Sequence, residues 1–428
     1  FCSWRGDTTR RMKKENFELL DLKIGLSTYD PDTNETCILV QPFNLNQLME
    51  LHYYEDITKA NVLLVLKLND SSSGLLGGLM GMEPIDISWK DREENVITYS
   101  MVVYDIQDRM VIDGKQSQAT VYCVSPDAVK NSATKISKRF GKGGGKPTHD
   151  IVQELISQEL KSDKIVDFDK SQTKLSFVSP YWDPYTIITW LSWRSILEGG
   201  SGKSSAGFLF YEDREGYHFR SMDALVEQET TRVININMEE EEDTDDIHIS
   251  GFTLSGTSDI FRGLNLGSYA SATYTLDMKD FKYEEIPFFI NDFYTEMKKL
   301  NPQADLPEFY KRFGGEELGG GRPTRIMSKV MDTAMYTEGT YTQDLTRQLS
   351  QSMIRNQFFF NQAGTFDYEG NQDLYIGQVV EINKMDPRSG DPDPEISGRY
   401  IVGKIYRQFL TERDTMTTRV TVYRDSIG

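Results

Sequence analysis

Residues 174–224 read KLSFVSPYWDPYTIITWLSWRSILEGGSGKSSAGFLFYEDREGYHFRSMDA. This stretch carries the clearest signals of the fold. Residues 175–178 indicate a strand, and Asp183 with Pro184 supplies an N-cap and a first-turn proline for an apolar helix. Residues 208–219 alternate on either side of a polar turn, which predicts a β-hairpin. None of these side chains forms a reactive constellation, so the stretch indicates assembly architecture rather than a catalytic centre.

Length and composition describe a globular chain of several domains. At 428 residues, the length favours about three domains, each long enough to bury its own core. The 22 Tyr, 22 Phe and 5 Trp suit β-sheet surfaces and subunit interfaces. No apolar run approaches the roughly 20 residues that a membrane-spanning helix needs. Cys2, Cys37 and Cys123 are odd in number and far apart, which predicts neither a disulfide framework nor a zinc ligand set and favours a reducing compartment.

The amino terminus has no secretory pattern. The chain begins with Phe1, and the basic residues within 10–14 are followed by no apolar core. The sequence therefore indicates a terminus that was processed, cut or set by cloning.

The net charge of −19 disfavours binding to DNA. Phosphate binding draws its affinity from Lys and Arg, so an acidic chain repels the nucleic-acid backbone. The acidity either keeps the protein in solution or lines a channel along which DNA slides without sticking. The densest acidic run is a solvated loop or part of that lining, and it lacks the spacing of an EF-hand calcium loop. Its acidic residues are Glu239, Glu240, Glu241, Glu242, Asp243, Asp245 and Asp246.

Residues 1–125 carry short alternating segments and almost no helical periodicity. Regular short strands separated by Asn, Asp, Gly and Ser clusters predict an antiparallel barrel or sandwich. The predicted strands are 18–26, 36–41, 61–68, 85–90, 97–104 and 119–123.

An apolar, glycine-rich segment interrupts this pattern at 71–82. Because glycines break both helices and strands, the segment indicates a flexible connection. The alternative is an apolar loop tip that docks on a partner. The residues that such a tip would present are Leu75, Leu76, Leu79, Met80 and Met82.

The rest of the chain divides into three parts. Residues 126–205 combine a basic stretch with a helix that Thr148 caps, which predicts a mixed helical and strand domain. Residues 206–238 and 345–428 contain the hairpin and further strands, which predict a second, discontinuous β-barrel. Residues 239–344 would then be an α+β insertion. The elements predicted near the carboxyl end are a helix at 342–356 and strands at 358–360, 374–383, 400–409 and 417–423.

No motif predicts catalytic, cofactor-binding or metal-binding residues. The loops at 199–205 and 141–146 imitate a phosphate-binding loop, but the first has Leu197 where a glycine is required and the second has Pro147 where a hydroxyl is required. None of the four histidines lies at catalytic or zinc spacing from a Cys, Ser or acidic residue. The sequence therefore predicts no cofactor and no enzyme activity.

Several segments together resemble the central baseplate hub protein of contractile-tailed bacteriophages, over nearly the whole chain. The most specific are SPYWDPYTIITWLSWRSI (179–196) and AGFLFYEDREGYHFRSMD (206–223). The others are LLGGLMGMEPIDISW (75–89), THDIVQELISQEL (148–160), LYIGQVVEINKM (374–385), SGRYIVGKIYRQFL (397–410) and TRVTVYRDS (418–426). Hubs of type VI secretion spikes are related to this family. The basic glycine loop, the acidic run and the glycine-rich residues 314–321 have no place in the family pattern.

This resemblance implies a mainly β fold with two similar antiparallel, tube-like β-barrels and smaller mixed parts. Three chains would form a homotrimeric ring of six barrels, which adapts the hexameric tail tube to the trimeric central spike and forms part of the channel for DNA ejection. The implied partners are the spike and the tail tube or its initiator, with the tape-measure protein and the baseplate wedge as further neighbours. The implied location is the tail baseplate of the virion, after assembly in the host cytoplasm.

Two other functions stay open at this point. A baseplate-associated cell-wall hydrolase would need a cluster of acidic side chains in a cleft, and 66 acidic residues offer many pairs. A receptor-binding module would need a surface groove lined by Tyr and Trp.

Overall fold

The structure is a computed structural model in which strands dominate over helices, so the predicted mainly β fold with smaller helical parts is confirmed. It describes residues 18–30, 35–42, 47–70, 75–90, 96–112, 116–142, 144–200, 207–237, 246–255, 260–267, 269–278, 281–302, 304–305, 323–331, 345–360, 362–369, 374–411 and 415–425.

The first β region is an antiparallel sheet with one short helix. Its elements are β1 (Glu18–Asp30), β2 (Glu35–Pro42), β3 (Leu48–Asp56), β4 (Leu63–Asp70), α1 (Leu75–Gly78), β5 (Pro84–Lys90), β6 (Val96–Ile112) and β7 (Gln116–Val124). The spatial order is β2, β1, β5, β6, β7, β4, β3. All six predicted strands are present. Alternate residues of β4, namely Leu64, Leu66 and Leu68, are fully buried, as expected for a sheet with one core face.

A mixed region follows. Its elements are α2 (Pro126–Ala133), β8 (Arg139–Phe140), β9 (Lys146–Pro147), α3 (Thr148–Glu154) with a π-helical continuation (Leu155–Glu159), β10 (Ile165–Phe168), β11 (Lys174–Leu175), β12 (Phe177–Val178) and α4 (Pro184–Ser192). The predicted cap of α4 is confirmed, because the Asp183 carboxylate accepts the Thr186 N–H at 2.9 Å. The predicted cap of α3 is wrong. Thr148 is the first helical residue, and its hydroxyl bonds to those of Ser171 and Ser195.

The predicted hairpin consists of β13 (Phe208–Glu212) and β14 (Gly216–Ser221). Its hydrogen-bonding partner is β10 of the mixed region, which pairs parallel to β14, and not the carboxyl-terminal strands. Its side chains face two cores. Leu209 and Tyr211 pack into the core of the second β region, whereas Phe208 and Phe210 pack into that of the mixed region. The hairpin therefore lies between two layers.

The next part begins the second β region and leads into an insertion. The elements are α5 (Met222–Glu227), β15 (Arg232–Ile236), β16 (Ile247–Ile249), β17 (Thr253–Ser255), α6 (Ile260–Leu266), β18 (Ala270–Asp277), β19 (Tyr283–Phe289), α7 (Ile290–Tyr294), β20 (Arg325–Met331) and α8 (Leu345–Phe359). β16 pairs with β15, although the sequence predicted 239–344 as an insertion. The strand predicted at 358–360 is wrong, because α8 extends to Phe359.

Helix α8 is attached to the end of the chain by a buried ion pair. Arg355 donates to the Asp425 carboxylate at 2.7 Å, and neither side chain is more than 1 % exposed. Asp425 also accepts the Leu300 N–H at 3.1 Å. The pair therefore connects the helix, the insertion and the last strand.

Four further strands complete the second β region: β21 (Gln362–Glu369), β22 (Val379–Asn383), β23 (Gly398–Leu410) and β24 (Thr415–Arg424). β23 pairs with β22 through its first residues, with β3 through its last residues and with β24 along its length. Both β regions therefore share one hydrogen-bonded ladder. Within the described ranges that ladder runs from β16 to β2 without closing on itself.

A glycine allows β23 to change partners. The register with β24 shifts between Val402 and Lys404, which is a β-bulge at Gly403. A Cβ atom at Gly403 would lie 2.2 and 2.3 Å from ring atoms of Tyr423. A bulge bends the strand at this glycine. Residues after the bend, 404–410, pair with β3 instead of β22.

We expect Gly403→Ala to lower the free energy of unfolding by about 1–3 kcal/mol, because Tyr423 is packed and would have to move. Chemical denaturation measures this change. Gly251→Ala is the control, since nothing lies within 4 Å of its added Cβ. Equal losses in the two variants would contradict the steric argument.

Candidate functional site

The two β regions meet where β3 pairs with β23. This antiparallel pairing aligns residues 50–56 with residues 410–404. Successive side chains of a strand point to opposite faces, so this pairing creates one face shared by both regions. We call it the seam face. Its residues, on β3, β4, β21, β23 and β24, are Glu50, His52, Tyr54, Asp56, Leu63, Val65, Lys67, Asp367, Lys404, Tyr406, Gln408 and Arg419.

Aromatic rings stack across the seam. The Tyr54 and Tyr406 ring centroids are 4.8 Å apart, and those of His52 and Tyr406 are 5.8 Å apart with nearly parallel planes. His52 Nδ1 lies 2.7 Å from the Tyr406 hydroxyl oxygen. Burial raises the pKa of Tyr406 to about 12, so its hydroxyl stays neutral at physiological pH. The two regions are thus fastened by side chains as well as by backbone.

The charges of the seam face are paired between strands. Lys404 lies 3.0 Å from Asp56, and Lys67 lies 2.9 Å from Glu50. Arg419 donates two hydrogen bonds, of 2.7 and 2.9 Å, to the Asp367 carboxylate and lowers the pKa of that carboxyl. Such cross-strand pairs set register, and they leave this face close to neutral.

A cavity of about 450 Å³ opens beside the stacked rings. Four tyrosines line it, Tyr54, Tyr104, Tyr122 and Tyr406, and its polar groups include Lys59. The cavity is concave and aromatic, which is the form that small-molecule and peptide sites take.

The opposite side of the seam contains a buried ion pair. Arg407 and Glu55 lie 3.7 Å apart with side chains no more than 2 % exposed. The Glu55 carboxylate accepts hydrogen bonds from the Tyr53 hydroxyl at 2.7 Å and the Arg214 N–H at 3.1 Å, and Arg407 donates to the Leu374 carbonyl at 2.9 Å. Burial raises the pKa of Glu55, and the Arg407 charge opposes that shift. This network ties both β regions to the hairpin turn.

The hairpin carries a second buried carboxylate, Glu212. It accepts hydrogen bonds from the Ser125 hydroxyl at 2.7 Å and the Val62 N–H at 3.3 Å, and it pairs with Lys164. Burial raises the pKa of Glu212, and the positive charge of Lys164 offsets part of that rise. The donors come from the first β region and the mixed region, so this carboxylate fixes the hairpin against both.

His218 of the same hairpin lies between two carboxylates. Its Nε2 is 2.9 Å from Asp213 and its Nδ1 is 3.3 Å from Asp167. Burial lowers the pKa of His218, but the two carboxylates outweigh it and raise the pKa to about 9. In return, hydrogen bonding from His218 lowers the pKa of Asp167 to about 2. The histidine is therefore a structural cation that joins β14 to β10.

Segment 71–82, predicted as a flexible connection or a docking tip, contains both buried and exposed apolar side chains. Leu76 and Leu79 are buried in the first core, whereas Met80 and Met82 are 91 % and 61 % exposed. The Glu83 carboxylate accepts the Met80 N–H at 2.7 Å and holds this tip. A neighbouring groove of about 680 Å³ is lined by both methionines. Leu75 begins α1, and its side chain is outside the described part.

The acidic run predicted as a loop or channel lining falls outside the described residues except for its last member. Asp246 accepts a hydrogen bond from the Asn235 amide at 3.0 Å, next to β15. The glycine-rich residues 314–321 also fall outside the described part of the chain. In the basic loop at 141–146, Lys146 pairs with Glu154 at 2.7 Å within its own region.

Neither a metal site nor a membrane-spanning helix is present in the part of the chain that the structure describes. Across those ranges, no group of three or more His, Cys, Asp or Glu side chains is placed to hold a metal ion. Among the described helices, none is long and apolar enough to cross a membrane.

Strand β3, which provides half of the seam, was not among the strands predicted from the sequence. Its sequence, LMELHYYED, alternates over four residues. Leu51 and Tyr53 are buried, and His52 and Tyr54 point to the opposite face. The period-two signal was therefore available. Glu50, Glu55 and Asp56 interrupt the apolar residues of this short segment.

We expect Arg407→Met to lower the free energy of unfolding by about 3–5 kcal/mol, because Glu55 is left buried without its counter-charge. Lys404→Met, on the same strand, removes a pair whose lysine is 47 % exposed and should cost less than about 1 kcal/mol. Urea denaturation of both variants measures the difference. Similar losses would refute the importance of burial.

We expect His218 to make the protein less stable as pH rises. A raised pKa means that the folded state binds the proton more tightly, so this stabilisation is complete below about pH 6.5 and is lost as pH rises through about 9. The loss should be about 2–3 kcal/mol, and His218→Gln should remove it. Denaturation at several pH values tests this. His149→Gln is the control, since its side chain is equally exposed at 13 % but contacts one carboxylate; an equally flattened profile there would contradict the assignment.

Comparison with known proteins rests on structure. No protein-family model matches the chain, and no curated protein matches it by sequence. The tail protein from Neisseria meningitidis MC58 superposes with a TM-score of 0.53 at 7 % identity, over 96 % of this chain and 97 % of that protein. The 43 kDa tail protein of prophage MuSo2 from Shewanella oneidensis gives 0.52 at 8 % identity, over 96 % and 100 %. An Escherichia coli type VI secretion component gives 0.46 at 9 % identity, over 88 % and 73 %.

The first two comparisons cover both proteins almost end to end, so the similarity concerns the whole arrangement rather than one shared sheet. Sequence identities of 7 and 8 % restrict this conclusion to the fold. The resemblance noted in the sequence is confirmed at that level: the chain has the fold of phage tail proteins.

Proposed function

We propose that this chain is a structural protein of a phage-type tail and forms the trimeric central hub of the baseplate. In this function it adapts the hexameric tail tube to the trimeric central spike and contributes to the channel for DNA ejection. No chemical step is involved. Binding and passage follow from how three copies present their sheets.

The observation that carries the proposal is the shared strand β23. It places two β regions side by side in one ladder, which supports a chain that supplies two units to a ring. Three such chains supply six units, the number needed to match a hexameric tube. The end-to-end similarity of fold to two tail proteins supports the same arrangement.

The proposed partners occupy the two ends of the ring. The tail tube or its initiator would lie above and the spike below, with the tape-measure protein and the baseplate wedge as further neighbours. DNA would pass without sequence-specific contact. An acidic bias of the channel stays a prediction, and if the seam face is its wall, that bias must come from residues other than the paired charges at Asp56, Glu50 and Asp367.

A receptor-binding module is the alternative that an observation favours. The cavity with four tyrosines is the kind of groove that such a module would need, with Tyr104 half exposed at 50 %. Aromatic faces supply contact area for a ligand at low entropic cost.

We expect light scattering to give a mass of about 147 kDa, three times the 49.1 kDa chain, for the protein alone, or that mass plus three spike chains once the candidate spike is added in equal amounts. The physical reason is that obligate subunit interfaces are large and hydrophobic, so the assembled state is favoured over separate chains. The related spike is the test ligand, and an unrelated trimeric protein is the control. A monomer that ignores every tail protein would contradict the hub and favour the receptor-binding alternative.

A further inference from the structure

The insertion contains a three-stranded sheet with the order β19, β18, β20. One face of this sheet is covered. It packs with α7 and α8 around a core that includes Phe288, Phe293, Ile354 and Phe358. The insertion therefore has its own core, and the second face of the sheet is available for another contact.

The second face is apolar and exposed. The register places Leu276 beside both Tyr283 and Val330, and Ala272 beside Ile326 on the same side. Tyr283, Val330 and Ile326 are 64 %, 68 % and 61 % exposed. We call this surface the insertion face and define it by Tyr274, Leu276, Tyr283, Glu285, Pro287, Ile326, Ser328 and Val330, whereas Ala272 on the same side is buried.

The turn at the end of this face extends the apolar surface. Met278 and Phe281 are 50 % and 75 % exposed. Phe281 has a φ of 52°, a left-handed conformation that is uncommon for a bulky residue. Of the 19 exposed large apolar side chains in the described chain, seven lie between 261 and 330, so the exposure is concentrated in the insertion.

The area and charge of the insertion face indicate what covers it. Counting the turn residues Met278 and Phe281 with the face, and taking roughly 150–250 Å² for a fully exposed large side chain, the exposed fractions amount to roughly 500–900 Å², of the order of one side of a standard protein interface. Among its defining residues, Glu285 is the only one of the types Asp, Glu, Lys, Arg and His. Copies of a chain with a net charge of −19 repel one another, so they can associate closely only through a surface of low charge.

We propose that the insertion face packs against a second copy of this chain. The proposal rests on the hub function and deepens it by naming a contact that holds the copies together. Three copies related by a threefold axis would bring their insertion faces together and cover the apolar rows. The two outer strands of the sheet, β19 and β20, lie beside the same contact.

The test is self-association of the full chain carrying Tyr283→Ser and Val330→Ser. Both side chains are exposed, so folding should be retained, which circular dichroism and denaturation verify. Light scattering over a range of concentrations should show self-association weakened by roughly 30-fold or more, the effect of losing central interface residues. The matched control is Val111→Ser with Tyr181→Ser, two side chains that are each 70 % exposed and lie outside the insertion, and it should associate as the wild type does.

Three results would overturn the proposal. If the double variant assembles like the wild type, the copies meet elsewhere, while the hub function stands. If the wild type is a monomer without the spike and the double variant no longer binds the spike, the insertion face belongs to the spike. If the wild type is a monomer under all conditions and binds no spike, the hub function itself fails.

Discussion

The whole arrangement depends on one strand that belongs to two sheets. β23 hydrogen bonds to β22 before its bulge and to β3 after it, while β24 pairs with both halves. Continuous hydrogen bonding between neighbouring strands resists their separation, so the two β regions form one connected sheet. The cores reflect this continuity, because Phe409 and Met416 from the second region pack in the first core and Ile57 from the first region packs in the second.

Buried charges lie where separate segments of the chain meet. Glu55 with Arg407 joins the two β regions, Glu212 with Lys164 joins the hairpin to its neighbours, and Arg355 with Asp425 joins α8 to the end of the chain. A buried pair adds little net stability compared with apolar residues, but it is strongly unfavourable in any other geometry. Charges at these junctions therefore select one relative position of the segments. That property suits a subunit whose task is to hold neighbours in register.

The distribution of charge separates two kinds of surface. Acidic side chains of the seam face are matched by bases on adjacent strands, so the net charge of −19 must be concentrated elsewhere. The insertion face has almost no charge and exposes Tyr283, Ile326 and Val330. A paired polar face tolerates water, whereas an uncharged apolar face favours a protein partner. In a ring of copies, the two surfaces would serve the channel side and the contacts between subunits.

Alternation and capping act over a few residues, so the amino-acid sequence alone predicts the local elements. Such patterns predict six of the strands in the first region, the hairpin, the Asp183 cap and the helix before residue 360. Which strands pair depends on tertiary contacts. The hairpin joined β10 rather than the carboxyl-terminal strands, and α8 ends with Phe358 in the insertion core and Phe359 in the core of the second β region. The seam and the insertion face were invisible for the same reason: each is made by residues far apart in the chain, and no local period records their contact.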